Sequence, residues 1–127
     1  MPESKKYQIA VSAIPQFIAD QSDVATDRYV FAYTITIENV GTVPAQLISR
    51  HRIITDGKAG IQEVHGLGVV GEQPLLKPGE TYEYTSGCLF DTPVGTMRGS
   101  YQMTAEDGTQ FEATIAEFIL SIPRVLH

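Results

Sequence analysis

The residues most open to chemistry in this chain are glycines. Gly66-x-Gly68-x-x-Gly71 matches the letters of the dinucleotide-binding fingerprint. That fingerprint works where a strand ends and a helix begins, because the helix N-terminus holds the pyrophosphate. Here Pro74 and Pro78-Gly79 follow closely, and no helical period appears behind them. A Rossmann unit is therefore excluded. A glycine-rich loop can still hold an anion without a helix, since free backbone N–H groups line its concavity. Gly66, Gly68 and Gly71 are accordingly the candidate anion or pyrophosphate positions, with Arg50, Arg52 or Arg98 as sources of charge. The plainer alternative is a wide connection that needs positive φ and close backbone approach.

Metal and covalent chemistry have less to stand on. The histidines are His51, His65 and His127, and neither a His-x-His nor a Cys-x-x-Cys spacing occurs. A hairpin loop centred on Lys58 would set His51 and His65 opposite each other on a ladder, with Glu63 or Asp56 close by. A polar cross-strand pair is the expected role of these two side chains, and no metal ligands are assigned. Ser86-Gly87-Cys88 holds a nucleophile type but no histidine at a partner spacing. A lone strand cysteine is usually a small buried hydrophobe. Glu72, Glu80 and Asp91 sit in turns, where carboxylates are ordinarily solvated, and they form no acid–base pair worth naming. The expectation is a protein that is not an enzyme and carries no cofactor.

The elements that must position these residues are short strands. Tyr7, Ile9 and Val11 alternate with polar neighbours, and Pro15 ends that run or marks a sheet edge. Tyr29, Phe31, Tyr33, Ile35 and Ile37 form the clearest apolar face, which Asn39-Val40-Gly41 breaks with turn chemistry. Leu47 to Thr55 is a less regular strand, because Arg50, His51 and Arg52 are all polar in its middle. Ile61 to His65 returns after the loop at 56–60. Tyr82 and Tyr84 open another strand, with Ser86-Gly87 and Asp91-Thr92-Pro93 as interruptions. Met97, Gly99, Tyr101 and Met103 alternate in the next. Asp107-Gly108 is the strongest hairpin signal, read as a type I′ turn with positive φ at both central residues. The last strand changes phase between Ile115 and Phe118, which predicts a bulge near Ala116 and Glu117. About seven antiparallel strands with regular turns make an all-β, immunoglobulin-like β-sandwich. Leu76-x-Pro78-Gly79-x-x-Tyr82 has the spacing of a tyrosine corner, in which the phenol bonds back to upstream backbone.

Bulk properties agree with a single domain over residues 1–127. That length buries a real core without disulfides or metal. Eleven glycines and seven prolines are spread between the β-rich runs. A net charge of −6 argues against a nucleic-acid partner. Cys88 is the only cysteine, so no internal disulfide forms and a reducing compartment is expected. With a polar N-terminus and no apolar span, the expectation is a cytoplasmic protein with no membrane partner.

Beyond these properties lies a resemblance. Gly68-Val69-Val70-Gly71-Glu72-Gln73-Pro74, Leu76-x-Pro78-Gly79-Glu80, Tyr84-Thr85-Ser86-Gly87-Cys88 and Asp91-Thr92-Pro93-Val94-Gly95-Thr96-Met97-x-Gly99-x-Tyr101 together resemble the ApaG family. Ser49-Arg50-His51-x-Ile53-Ile54-Thr55-Asp56 fits as well, although that family usually has tryptophan where this chain has Arg52. The resemblance covers roughly residues 7 to 122. It implies a fibronectin type III-like sandwich, bacterial and cytoplasmic, with a similar domain at the C-terminus of an F-box protein. It also implies a link to cobalt and magnesium homeostasis and a weak pyrophosphate-binding role for the glycine loop. The function expected is a non-enzymatic binding module for an unknown protein partner, acting through a sheet face or an exposed edge. The alternative is a nucleotide or pyrophosphate binder that uses Gly66, Gly68 and Gly71. Exposed edges would also serve a homo-oligomer.

Overall fold

The computed structural model describes residues 5–123; His127 lies outside them. The described chain runs β1 (Ile9–Phe17), β2 (Tyr29–Asn39), β3 (Ala45–Asp56), β4 (Ile61–Leu67), β5 (Leu75–Leu76), β6 (Thr81–Phe90), β7 (Val94–Ala105) and β8 (Gln110–Ser121). Two single 3₁₀ turns, Ala19–Gln21 and Val24–Thr26, occupy the polar connection between β1 and β2. The strands make two antiparallel sheets. One has the order β1-β2-β6; the other runs β4-β3-β7-β8, with β5 also pairing β3. No helix among the described residues is long and apolar enough to cross a membrane.

The strand period decides what fills the space between the sheets. Tyr29, Phe31, Tyr33, Ile35 and Ile37 are all buried, as their alternation requires. They meet Leu47, Ile54, Met97, Tyr101, Met103, Ala113, Ile115 and Leu120 from the opposite sheet. Pro15 stands in edge strand β1, where its missing N–H leaves no gap in a central ladder. In β8 the pairing steps from Gly99↔Ile115 to Met97↔Phe118, so Ala116 and Glu117 together oppose Arg98. This is the expected bulge, and it restores Phe118 and Leu120 to the inner side.

Three local expectations need correction. Ser86-Gly87 does not interrupt β6, which pairs with β2 without a break from Thr81 to Phe90. Continuous pairing on a central neighbour outweighs the weak local preference of one glycine. The β7–β8 turn is not type I′. Asp107 has no positive φ, whereas Gly108 does (φ +87), and Gly108 N–H donates to Ala105 O while Ala105 N–H donates to Thr109 O. That is a three-residue hairpin loop closed by a left-handed glycine. The third correction concerns Tyr82, which makes no corner bond to upstream backbone. Its hydroxyl donates to Glu72 Oε2 at 2.9 Å, in an exposed position.

The corner role falls to buried Asn39. Its Nδ2 donates to Val43 O and Leu76 O, both at 2.9 Å, and its Oδ1 accepts from Gly41 N–H. Its backbone carbonyl also accepts from Gly79 N–H. The side chain thus closes the β2–β3 turn and fastens β5 to it, and the backbone carbonyl of the same residue holds the Pro78-Gly79 turn. The short polar amide supplies donors and an acceptor where three backbone segments meet without a ladder.

Candidate functional site

The irregular middle of β3 explains itself in the register. Leu47 pairs with Met103 and Ser49 with Gln102, leaving Ile48 as an extra residue. The bulge reverses which side chains face inward. Arg50 opposite buried Tyr101, and Arg52 in line with buried Ile54, therefore point between the sheets, while Ser49, His51 and Ile53 point outward. Two arginines on the interior face were not foreseen. The signal available was the run Arg50-His51-Arg52 itself, which no strictly alternating strand can keep wholly on a solvent face.

The glycine loop is shaped around these arginines. Gly66 lies opposite Arg50 in the β3–β4 ladder, and a Cβ there would sit 2.8 Å from the guanidinium carbon. Glycine leaves room for the arginine to lie across β4, where its Nη1 donates to Leu67 O at 3.2 Å and Gly68 O at 2.9 Å. Gly68 has φ +61, and a Cβ on it would collide with the Glu72 carbonyl oxygen. Gly68 N–H donates to Ile48 O, so the β3 bulge and the loop are locked together. Val69 and Glu72 exchange backbone hydrogen bonds across Val70 (φ +42) and Gly71 (φ +83). Positive φ at both central residues makes this a type I′ turn. Val69 beneath it is fully buried.

Between β3, β6 and this loop opens a small cleft of about 220 Å³, lined by Arg50, Arg52, Val69, Val70, Tyr84 and Ser86. Arg52 Nη1 donates to Tyr33 Oη. Its Nε is buried with no hydrogen-bond partner among the described residues. No ion pair among the described residues includes Arg50 or Arg52. Behind them, the Tyr84 and Tyr101 hydroxyls are hydrogen-bonded at 2.5 Å. Burial raises the pKa of both phenols, so they stay neutral beside the guanidinium. Burial likewise pushes the Cys88 thiol up to about 11, against a smaller opposing pull from Arg52. A thiol that stays protonated is a poor nucleophile. Arg98 is on the far side, opposite Ile53 in the register, and lines a separate outer groove with His51 and Glu117.

On the outer side of the β3–β4 ladder, His51 pairs directly with His65, as a loop around Lys58 requires. The two imidazoles stack, with centroids 4.0 Å apart and planes at 11°. Glu63 Oε1 lies 3.3 Å from His51 Nε2. Asp56 is instead engaged by its own turn, accepting from Lys58 and Gly60 N–H. Ser86 reaches the cleft, whereas Glu72, Glu80 and Asp91 are exposed, Glu72 to Tyr82, Glu80 to Lys77 N–H and Asp91 to Lys58. These carboxylates do not converge on one centre.

Fold and site together define a small antiparallel β-sandwich with a charged cleft beneath a glycine loop at one open edge. Residues 19–105 match the family model described as ApaG domain. The chain belongs to the ApaG family. It is 68% identical to Protein ApaG of Nitrosospira multiformis and 68% identical to Protein ApaG of Thiobacillus denitrificans, in each case across the full length of both chains. It is also similar to a crystal structure from Bordetella pertussis, with a TM-score of 0.93 at 59% identity, covering 95% of this chain and 98% of that one.

Proposed function

We propose that this chain is a non-enzymatic binding module whose main surface is the free edge of β4 with the adjoining glycine loop, and whose ligand is an extended segment of a protein partner. One observation carries the reading. Among the described residues β4 pairs only with β3, and Leu67, Val70 and Leu75, before, within and after the loop, are 76%, 55% and 57% exposed. An unpaired edge supplies main-chain hydrogen bonds to an added strand, and exposed apolar side chains beside it select that strand. A net charge of −6 keeps nucleic acid out of this reading. The protonated Cys88 thiol supports a role other than catalysis. The cytoplasmic setting and the tie to cobalt and magnesium homeostasis belong to the proposal through the partner recruited.

The test compares affinity capture from native cytoplasm by wild type, Leu67→Lys, Val70→Asp and, as a control on the opposite sheet, Ile14→Lys. The expected result is one protein retained by wild type and Ile14→Lys and lost from the other two at unchanged urea midpoints. Equal capture by all four chains removes the β4 edge from consideration. If the retained protein is the chain itself, the edge serves a homo-oligomer.

A second reading rests on the buried Arg52 Nε, which has no partner among the described residues. A pyrophosphate or nucleotide phosphate in the cleft would meet two guanidinium groups beneath the loop of Gly66, Gly68 and Gly71. Titration with inorganic pyrophosphate, followed by amide and arginine Nε–H resonances, is expected to move Gly68 to Gly71 and Arg52 together. Unmoved resonances exclude it.

A further inference from the structure

We propose that His51, Glu63 and His65 form a binding site for a transition-metal dication of borderline softness, of which Zn²⁺ is the type. The site lies on the outer face of the β3–β4 ladder and shares no residue with the arginine cleft. Register brings the donors together: His51 stands opposite His65, and Glu63, two residues before His65, falls on the same side of β4 and diagonal to His51. One donor atom from each residue can be chosen so that all three lie within 4.8 Å of one another.

The chemistry of the set defines the ion. Two imidazoles and one carboxylate suit Zn²⁺ and its neighbours, whereas Mg²⁺ and Ca²⁺ require oxygen donors throughout. Bonds of ~2.0–2.1 Å in a tetrahedron place ligand atoms ~3.3 Å apart, so the present spacing needs only a modest contraction. The Glu63 Oε1 to His51 Nε2 separation is already 3.3 Å. The remaining adjustment is a rotation of His65 out of the stack with His51, and both His65 and Glu63 are exposed. Three protein ligands leave a fourth position for water or for a donor from outside the chain.

The backbone beneath is rigid where it matters. The β3–β4 turn is closed by Asp56 N–H to Gly60 O and by Asp56 Oδ1, which accepts from Lys58 and Gly60 N–H. Thr92 Oγ1 holds Gly57 N–H from the β6–β7 side at 2.9 Å. A pinned register fixes the two histidine Cα positions before any ion arrives, which limits the ordering that binding must impose.

The experiment is calorimetric titration of untagged full-length chain with ZnCl₂ in a buffer that does not chelate, run beside MgCl₂. The expected result is one saturable Zn²⁺ per chain, no Mg²⁺ signal, and imidazole proton shifts of His51 and His65 on Zn²⁺ addition. His51→Ala and His65→Ala should each weaken binding at least tenfold, and Glu63→Gln by less. Loss of a histidine from an outer face should leave the fold intact, and circular dichroism checks it. Should a variant fail to fold, the imidazole shifts in wild type decide alone. Absence of saturable binding, or binding as strong as wild type in folded His51→Ala and His65→Ala, overturns the proposal, as do unmoved His51 and His65 resonances.

Discussion

At the scale of single residues, the three glycines of the loop do different work. Gly66 makes space for a guanidinium, Gly68 takes a conformation in which a Cβ would strike Glu72, and Gly71 supplies the second positive φ of a tight turn over open solvent. Gly68→Ala is therefore expected to lower stability by ~1–3 kcal/mol, since it adds strain to a backbone held on both sides. Urea unfolding measures it, and an unchanged midpoint would show the loop to be permissive. Asn39 and Tyr82 make an instructive pair. Both stand near the Pro78-Gly79 turn, but Asn39 bonds three backbone groups in the interior and Tyr82 one exposed carboxylate. Asn39→Ala leaves buried carbonyls unpaired and should cost ~1–3 kcal/mol. Tyr82→Phe keeps the ring and should stay within ~0.5 kcal/mol of wild type. Equal losses in the two variants would contradict this assignment.

At the scale of elements, the β7–β8 hairpin carries a second fastening. Asp107 Oδ2 accepts from Tyr7 Oη at 2.5 Å and lies 3.6 Å from Lys6 Nζ, while its Oδ1 accepts from Thr109 N–H. The Tyr7 bond is the main reason, with Thr109 and Lys6, that the Asp107 carboxyl is held down at about 2. A depressed carboxyl contributes stability above its unfolded value near 3.8 and loses it as pH falls toward 2. Amide protection at the start of β1 is thus expected to drop across that window, and to be pH-independent there in Asp107→Asn. Strand existence was readable because β2, β7 and β8 alternate cleanly, and the phase change at Ala116 and Glu117 marked its own bulge. The β3 bulge was not readable. Its extra residue, Ile48, follows apolar Leu47, and either of the two could take the inner face, so the letters do not show where the phase changes. The run Arg50-His51-Arg52 shows that at least one polar residue turns inward, but without the position of the bulge it does not show that the two arginines do. The His51–His65 pair was foreseeable because a short hairpin fixes register by counting. Asn39 reads as turn punctuation until the distant Leu76 carbonyl comes into view.

At the scale of the whole molecule, the neutral groups packed around Arg52 set an alkaline limit. Burial raises Cys88 to about 11 from 9.0 and raises Tyr84 and Tyr101 as well. Groups with raised folded values stabilise fully below their unfolded values, and this contribution disappears as pH climbs through the folded ones. Thermal midpoints should accordingly be flat to about pH 9 and fall from there upward, with a shallower decline in Cys88→Ala. A decline already complete at pH 9 would contradict the burial of these groups. The topology carries a further consequence. One edge of β3 is shared end to end by β4 and β5, so the glycine loop is a detour between two lengths of what is effectively one partner strand. This half of the larger sheet closes through short connections, whereas the β2–β6 pairing of the smaller sheet joins residues such as Thr34 and Thr85, 51 positions apart. Loop-closure entropy favours the nearer contacts first. The expected folding order is therefore the segment from Ala45 to Leu76 early and the β2–β6 pairing later, which pulse-labelled amide exchange during refolding checks.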